Sequence, residues 1–185
     1  MKERPIIFSC EMVRAVLDGR KTMTRRVVVP QPEYGAYPHH DEADGVAFAN
    51  PGSFHKYRFL PNDHLWVRET WYCDNPSRAQ DILSRGEGLY YKATEEHPGI
   101  FPKWRPSIFM PRWASRITLE ITDIRVERLQ HISEKDAVKE GLISDEINQI
   151  TAAENFENLW DSINGKKYPW ASNPWVWVIE FRRIE

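Results

Sequence analysis

The sequence predicts an α+β protein, a small mixed sheet or barrel with only a few short helices. Strand-like segments recur between irregular, proline-rich connections, and helical periodicity is confined to about three short segments. Strands that alternate regularly with helices would instead predict a doubly wound sheet. The chain has 185 residues, 41% of them hydrophobic, which suits one substantial core. We therefore expect a single domain over residues 1–185.

The start of the chain is typical of a strand, a helix and a second strand. Pro5–Ser9 is expected to be extended, and the apolar spacing after it predicts a helix over about 10–18. Gly19 follows the last periodic residue, where a glycine commonly ends a helix in the left-handed conformation. The basic residues and valines that come next predict a strand over 21–29.

Two long stretches have the composition of loops. The segment 30–60 contains four prolines, three glycines and three histidines, which predicts a long loop. The segment 73–112 is irregular and proline-rich on both sides of a short predicted strand at 88–93. We expect both segments to be insertions relative to a smaller core.

Apolar and polar residues alternate in three further segments, which are predicted strands: 63–72, 116–127 and 174–182. In the first of these, Leu65 and Val67 share one face. Trp66 and Arg68 share the other. Ser133 is a good N-cap for a short helix that ends at Gly141. A longer amphipathic helix is predicted over 151–163.

Charge and composition exclude several classes of protein. The net charge of −2 excludes a bulk polyanion binder, so any contact with nucleic acid must come from local patches. No apolar run approaches the length of a membrane span, and the N-terminus lacks a signal-peptide core. The two cysteines form no metal or disulfide pattern. We therefore expect a cytoplasmic protein without a membrane partner.

The basic stretch after Gly19 is the strongest indication of chemistry. Lys21 and Thr24 pair a potential amine base with a hydroxyl nucleophile. In a regular strand these two side chains point to opposite faces, so they can meet only where the junction is irregular. The alternative is a solvated basic strand edge that discourages aggregation. The residues alone leave both interpretations open.

Two other groups of residues have a functional and a structural interpretation. Glu140 lies in the last turn of its predicted helix, where the helix dipole disfavours a carboxylate. It either pairs with a buried lysine elsewhere or forms a surface pair with Lys139. Trp66 and Arg68 could form a shelf for a planar heterocycle. They could equally be a core tryptophan and a surface arginine.

The histidine-rich part of the chain does not predict a metal site. His39 and His40 are adjacent, which makes ligation of one ion by both awkward. No HExxH or CxxC spacing is present. We expect neither a metal nor a cofactor.

Several motifs resemble those of the ASCH family, which has a PUA-like fold. Residues 5–12 contain Pro-Ile-Ile-Phe-Ser-x-Glu-Met, and residues 17–26 contain Leu-x-Gly-Arg-Lys-Thr-x-Thr-x-Arg. Segments 63–69, 117–126, 133–141 and 177–181 look like the later strands and helix of the family. The resemblance implies a small mixed β-barrel with few helices and long loop insertions. The tryptophan-rich, loop-elaborated form is similar to phage and prophage members.

The resemblance also implies an activity. Small bacterial ASCH members include amidohydrolases that remove the acetyl group from N4-acetylcytidine with a Lys, a Thr and a Glu. The motifs carry these roles to Lys21, Thr24 and Glu140. Four residues are expected to bind the substrate: Arg26, Trp66, Arg68 and Glu69. The expected partner is a modified nucleoside or RNA.

Two alternatives stay open at the level of sequence. The first is a non-catalytic module that binds RNA or a modified base through aromatic stacking and the cations Lys21, Arg25, Arg26 and Arg68. Such a module loses affinity steeply with salt, whereas an enzyme for a free nucleoside does not. The second is a phage accessory protein that acts through protein–protein contacts.

Overall fold

The computed structural model describes residues 1–32, 60–74, 88–95, 103–145 and 147–184, and the backbone of three strands between residues 37 and 56. The helices are α1 (Cys10–Leu17), α2 (Glu134–Lys139) and α3 (Ala152–Asn164). The strands are β1 (Glu3–Ile7), β2 (Met23–Val27), β3 (Tyr37–Asp41), β4 (Gly45–Asn50), β5 (Ser53–Lys56), β6 (His64–Arg68), β7 (Trp71–Cys73), β8 (Leu89–Tyr91), β9 (Thr118–Arg128) and β10 (Trp175–Arg183). In this part of the chain, every helix is too short or too polar to cross a membrane.

The central element is a five-stranded sheet in the order β1-β6-β9-β10-β2. The β1–β6 pair is parallel, and the other three pairs are antiparallel. The predicted mixed sheet is therefore confirmed. Within the described residues the sheet is open, with β1 and β2 at its edges, so closure into a barrel is not confirmed.

Both faces of this sheet are covered by helices. On one face, Trp177 and Ile179 of β10 belong to a core that includes Val13 and Val16 of α1. On the other face, the core contains Val176 and Val178 of β10 together with residues from α2 and α3: Ala137, Phe156 and Trp160. The alternation along β10 thus separates α1 from α2 and α3.

The helix ends follow local sequence signals. Ser133 caps α2 by accepting a hydrogen bond from the Asp136 amide, as its residue type predicts. Thr151 and Glu154 form a reciprocal capping box at the start of α3. Gly19 lies just past α1 with a φ of 74°, so the predicted helix end at this glycine is confirmed.

The prediction of a loop over 30–60 is wrong for much of the segment. Its backbone forms an antiparallel sheet in the order β3-β4-β5. Pro38 belongs to β3, which is an edge strand. An edge strand tolerates proline, because an amide on its outer side has no partner strand to bond. The prolines and glycines indicated a loop because short strands leave a large share of the residues in turns. That the segment is an insertion stays a prediction.

Two predicted strands differ from the structure in their extent. The segment predicted at 63–72 is divided into β6 and β7, and Glu69 and Thr70 interrupt the ladder. The strand predicted over 21–29 is shorter, because β2 begins at Met23. The remaining predicted strands and helices agree with the structure to within about two residues, which is the usual uncertainty of element ends.

Candidate functional site

The chain before β2 is held between the ends of two helices. The Lys21 amide donates to the Ala15 carbonyl of α1 at 2.8 Å, and the Thr22 amide donates to the Lys139 carbonyl of α2 at 2.8 Å. Lys21 also forms an isolated antiparallel bridge with Glu140, outside the ladder of β2. This is the irregular junction that the Lys21–Thr24 hypothesis requires.

Lys21 is a buried amine in a cage of acceptors. Its residue exposure is 2%. Nζ donates to the Met23 carbonyl, the Glu140 carbonyl and Glu140 Oε2, each at 2.8 Å. The Phe8 ring centroid lies 5.4 Å from Nζ. Three acceptors match the three protons of an ammonium, so the protonated form has a complete set of hydrogen bonds.

Burial acts against that protonated form. The pKa of Lys21 is lowered from 10.5, mainly because burial removes the ammonium from water. The Glu140 carboxylate opposes this effect, while the neighbouring charges of Arg26 and Arg25 add to it. A neutral amine is therefore more accessible at this position than for a lysine in solvent.

Glu140 divides its carboxylate between two cations. Oε2 accepts from Lys21, and Oε1 accepts from Arg25 Nη1 at 3.3 Å. Lys139, the alternative partner considered from sequence, instead donates to Glu180 at 3.3 Å. Glu140 is the C-cap of α2, and its residue exposure is only 5%. The surface-glutamate interpretation is therefore wrong.

Gly141 allows α2, α1 and Lys21 to approach one another. Its φ is 95°, a conformation that favours glycine. A Cβ at this position would lie 2.8 Å from the Ala15 Cβ and 3.1 Å from the Lys21 Cβ. The glycine that ends α2 thus also makes room for the Lys21–Glu140 contact.

Thr24 lies on β2, where it pairs in register with Ile179 of β10. It is buried, with Arg26 on the same face of the strand. Thr24 and Glu140 both line a small cavity of about 60 Å³, which also has walls from Arg25, Arg26 and α3. The structure therefore brings Thr24 and Glu140 to one cavity, and Lys21 contacts Glu140.

A larger cavity lies beside the small one. Its volume is about 650 Å³, and the chain from Pro5 to Ser9 forms one wall. Met12, Arg26 and Ile163 line both cavities. The Arg26 Nη2 donates to the Ile7 carbonyl at 2.9 Å and thereby connects the edge strands β2 and β1. Arg26 thus lies where the two cavities meet.

The other predicted substrate-binding residues form separate groups. The Arg68 guanidinium lies 4.7 Å from the ring centroid of the buried Trp66. Glu69 accepts two hydrogen bonds from Arg116, at 2.9 and 3.0 Å. None of Trp66, Arg68 and Glu69 is among the described residues that line the small or the large cavity. The structure does not bring them together with Thr24.

Sequence reasoning missed the role of Arg25. Its side chain has no exposed surface and contacts three carboxylates. The sequence makes Arg25 one of the cations of an RNA-binding module. Alternation along a strand does not show which carboxylates other elements bring to a side chain. Phe8 was also missed, although it lies within the motif at residues 5–12 and its ring faces both Lys21 and Arg26.

Within the described residues, no three His, Cys, Asp or Glu side chains are grouped so that they could hold a metal ion. The side chains of His39, His40 and His55 lie outside the described residues.

Comparisons with known proteins give one weak structural similarity. No protein-family model matches the sequence, and no curated protein matches it. Among solved structures, the chain is similar to the crystal structure of an ASCH domain from Lactobacillus crispatus JV V101. The TM-score is 0.46 and the identity is 11%, over 98% of this chain and 79% of that chain. A similarity this weak does not establish a shared fold or function.

Proposed function

We propose that the protein is an amidohydrolase that removes the acetyl group from N4-acetylcytidine or a related N-acylated nucleoside. The observation that carries the proposal is the buried Lys21–Glu140 pair behind a cavity that Thr24 and Glu140 line. The motif Gly-Arg-Lys-Thr-x-Thr, which resembles that of ASCH amidohydrolases, supports Lys21 and Thr24. The resemblance of segment 133–141 to the helix of that family supports Glu140.

The chemistry is acyl transfer to water. The Thr24 oxygen attacks the acetamide carbonyl carbon while a neutral Lys21 takes the hydroxyl proton. The C–N bond then breaks as the exocyclic nitrogen of the cytosine takes the proton of the Lys21 ammonium and leaves as the amine. Water then gives a proton to neutral Lys21 and attacks the acyl-threonine. The Thr24 oxygen takes that proton from Lys21 as it leaves, and acetic acid is released. The acceptors around Lys21 Nζ stabilise the ammonium that forms in the first step.

The two cavities divide the substrate between them. The small cavity has room for a few atoms, so it suits the acetyl group rather than a nucleoside. The large cavity is within the usual range for small-molecule sites, about 300–1,000 Å³. We assign the base and the sugar to it. We assign to Arg26, which borders both cavities, a hydrogen bond to the amide oxygen as negative charge develops there.

The RNA-binding alternative is less well supported. It relied on four cations, and two of them, Lys21 and Arg25, have side chains with no exposed surface. A buried cation that is committed to carboxylates does not neutralise phosphates on a strand. An enzyme needs such a desolvated lysine, and an RNA-binding surface does not.

The test is a chromatographic assay of purified protein with N4-acetylcytidine and a chelator. Wild type is expected to release cytidine and acetate. Lys21→Met, Thr24→Val and Glu140→Gln are each expected to lower kcat by about 1,000-fold or more, as loss of a nucleophile or base does. Thr24→Ser retains the hydroxyl and is the matched control, which should keep most of the activity.

The folded state of every variant is checked by circular dichroism and thermal unfolding. A folded wild type that releases no cytidine overturns the proposed substrate. Full activity in folded Lys21→Met overturns the proposed mechanism. If wild type is inactive, titration with modified and unmodified oligonucleotides over a range of salt tests the RNA-binding alternative.

A further inference from the structure

Arg25 lies at one end of a row of cross-strand neighbours. It pairs in register with Val178 of β10, which in turn pairs with Arg125 of β9. Directly paired residues lie on the same face of a sheet. Arg25 and Arg125 therefore flank Val178 on the face that α2 and α3 cover.

The Arg25 guanidinium connects this face of the sheet to α2. Nη1 donates to Glu140 Oε1 at 3.3 Å, and Nη2 donates to Asp136 Oδ2 at 3.2 Å. Asp136 and Glu140 are four residues apart, one turn, so one planar cation contacts two successive acids of α2. Nη2 also donates to Glu127 Oε2 of β9 at 3.2 Å.

Two of the carboxylates that contact Arg25 also accept hydrogen bonds from a second arginine, Arg125. Arg125 donates to Glu127 Oε1 at 2.6 Å and to Asp136 Oδ2 at 3.3 Å. Two arginines thus share the Glu127 and Asp136 carboxylates, and only Arg25 reaches Glu140. Glu127 and Asp136, which are not among the residues that line the two cavities, thus help to fix the position of Arg25.

We propose that Arg25 is a positioning residue for the reaction: it holds Oε1 of Glu140 and leaves only Oε2 to Lys21. This inference rests on the proposed amidohydrolase function. Arg25 also contacts Asp136 and Glu127, so its planar guanidinium is held where Nη1 donates to Glu140 Oε1. A lysine ammonium lacks this planar arrangement of donors. Without the Arg25 guanidinium, Glu140 is free to rotate and to give both oxygens to Lys21.

The arrangement has an electrostatic consequence for the base. The charged groups that face Lys21 are Glu140 from α2, and Arg25 and Arg26 from β2. Arg25 repels the Lys21 ammonium and competes for the carboxylate that stabilises it. Both effects help Lys21 to be neutral before it takes the proton of Thr24.

The experiment compares two substitutions of Arg25. Arg25→Gln removes the charge and the fork, whereas Arg25→Lys keeps the charge without the fork. Arg182→Gln is the control, because it removes an arginine–carboxylate pair with Glu120 at the exposed end of β10. For each protein, kcat and KM for N4-acetylcytidine are measured as a function of pH.

In Arg25→Lys, we expect kcat to fall by about 100-fold, as for a small misplacement of a catalytic group, with KM nearly unchanged. In Arg25→Gln, the acidic limb of the kcat profile should also move to higher pH by about one unit, since the repelling charge is gone. Arg182→Gln should show neither change. If folded Arg25→Lys has the kcat of wild type, the proposal is overturned. This outcome counts whether or not Arg25→Gln folds.

A second readout does not depend on turnover. In protein labelled with ¹³C-lysine, the Lys21 signal is assigned by its loss in Lys21→Met, and its pH titration is followed by NMR. Lys21 should retain its proton to higher pH in Arg25→Gln than in wild type. Identical titrations overturn the role of Arg25. A shifted titration in a protein that never releases cytidine overturns the amidohydrolase proposal instead.

Discussion

Two buried carboxylates, Glu69 and Glu140, each have an arginine partner, but their surroundings differ. Arg116 donates to both oxygens of Glu69 and also lies 4.0 Å from the Tyr91 ring centroid. Glu140 instead divides its oxygens between Lys21 and Arg25, and it lines the small cavity together with Thr24. Glu69 thus gives both oxygens to one arginine, whereas Glu140 is shared between two cations and borders a cavity.

The difference separates a structural ion pair from a candidate catalytic one. A bidentate pair gives both carboxylate oxygens to one cation and satisfies its own charges. A carboxylate between two cations can strengthen its hydrogen bond to one of them when that group gains a proton. A cavity beside the carboxylate has room for the reacting group. Burial of a charge is common to both sites, so burial alone does not identify a functional one.

The largest expected effect is on the activity of matched variants. Glu140→Gln should lower kcat by about 1,000-fold. Glu69→Gln should instead lower the free energy of unfolding by about 3 kcal/mol, because it breaks a buried pair and leaves Arg116 without its carboxylate. Urea unfolding and steady-state kinetics measure the two effects. A raised KM in folded Glu69→Gln would show that Glu69 binds the substrate, as the sequence analysis expected.

The next effect concerns the two glycines that end α1 and α2. Gly19→Ala should cost about 1 kcal/mol of stability, since its φ is positive but its Cβ would have no neighbour within 4 Å. Gly141→Ala should cost about 3 kcal/mol, because backbone strain is joined by a clash with the Ala15 Cβ. The difference between the two free energies of unfolding isolates the clash.

Activity gives an independent check of the same pair. Folded Gly141→Ala should have a lowered kcat, since the clash displaces Lys21 from Glu140, whereas Gly19→Ala should retain it. Equal stability losses in the two variants would contradict the close packing at Gly141.

The smallest effect is a pH dependence of stability. Burial raises the pKa of Glu69 from 4.5, and the hydrogen bonds and charge of Arg116 oppose the shift. A raised pKa means that the folded state binds the proton more tightly. The stabilising contribution is therefore fully present below pH 4.5 and is lost as the pH rises through the folded-state pKa.

The measurement is the free energy of unfolding of wild type relative to Glu69→Gln, from acid to neutral pH. This difference should decline in favour of the variant as the pH rises through the folded-state pKa of Glu69. A difference that grows with pH would show that Arg116 outweighs desolvation and that the pKa of Glu69 is lowered.

Part of the candidate site follows from the sequence because its signals are local. Gly19 and Gly141 predict helix ends, and Ser133 predicts where α2 begins. These signals place Lys21 just after one helix and Glu140 at the end of another. The motif resemblance connected the two residues, but no periodicity relates positions 119 residues apart.

Local patterns gave the wrong environment for the cations of β2. A basic segment at a sheet edge is typical of a solvated surface. Arg25 is buried because β9 and α2 bring Glu127, Asp136 and Glu140 to it. The strands between residues 37 and 56 were missed for a related reason, since their pairing depends on register and not on composition.

The sequence by itself determined the helix ends, the alternating strands β9 and β10, and the candidates Lys21, Thr24 and Glu140. Only the tertiary structure decided which cations are buried, which carboxylates hold them, and which residues share a cavity. The reason is physical: capping and alternation are properties of neighbouring residues, whereas desolvation and ion pairing depend on elements that the chain brings together from far apart.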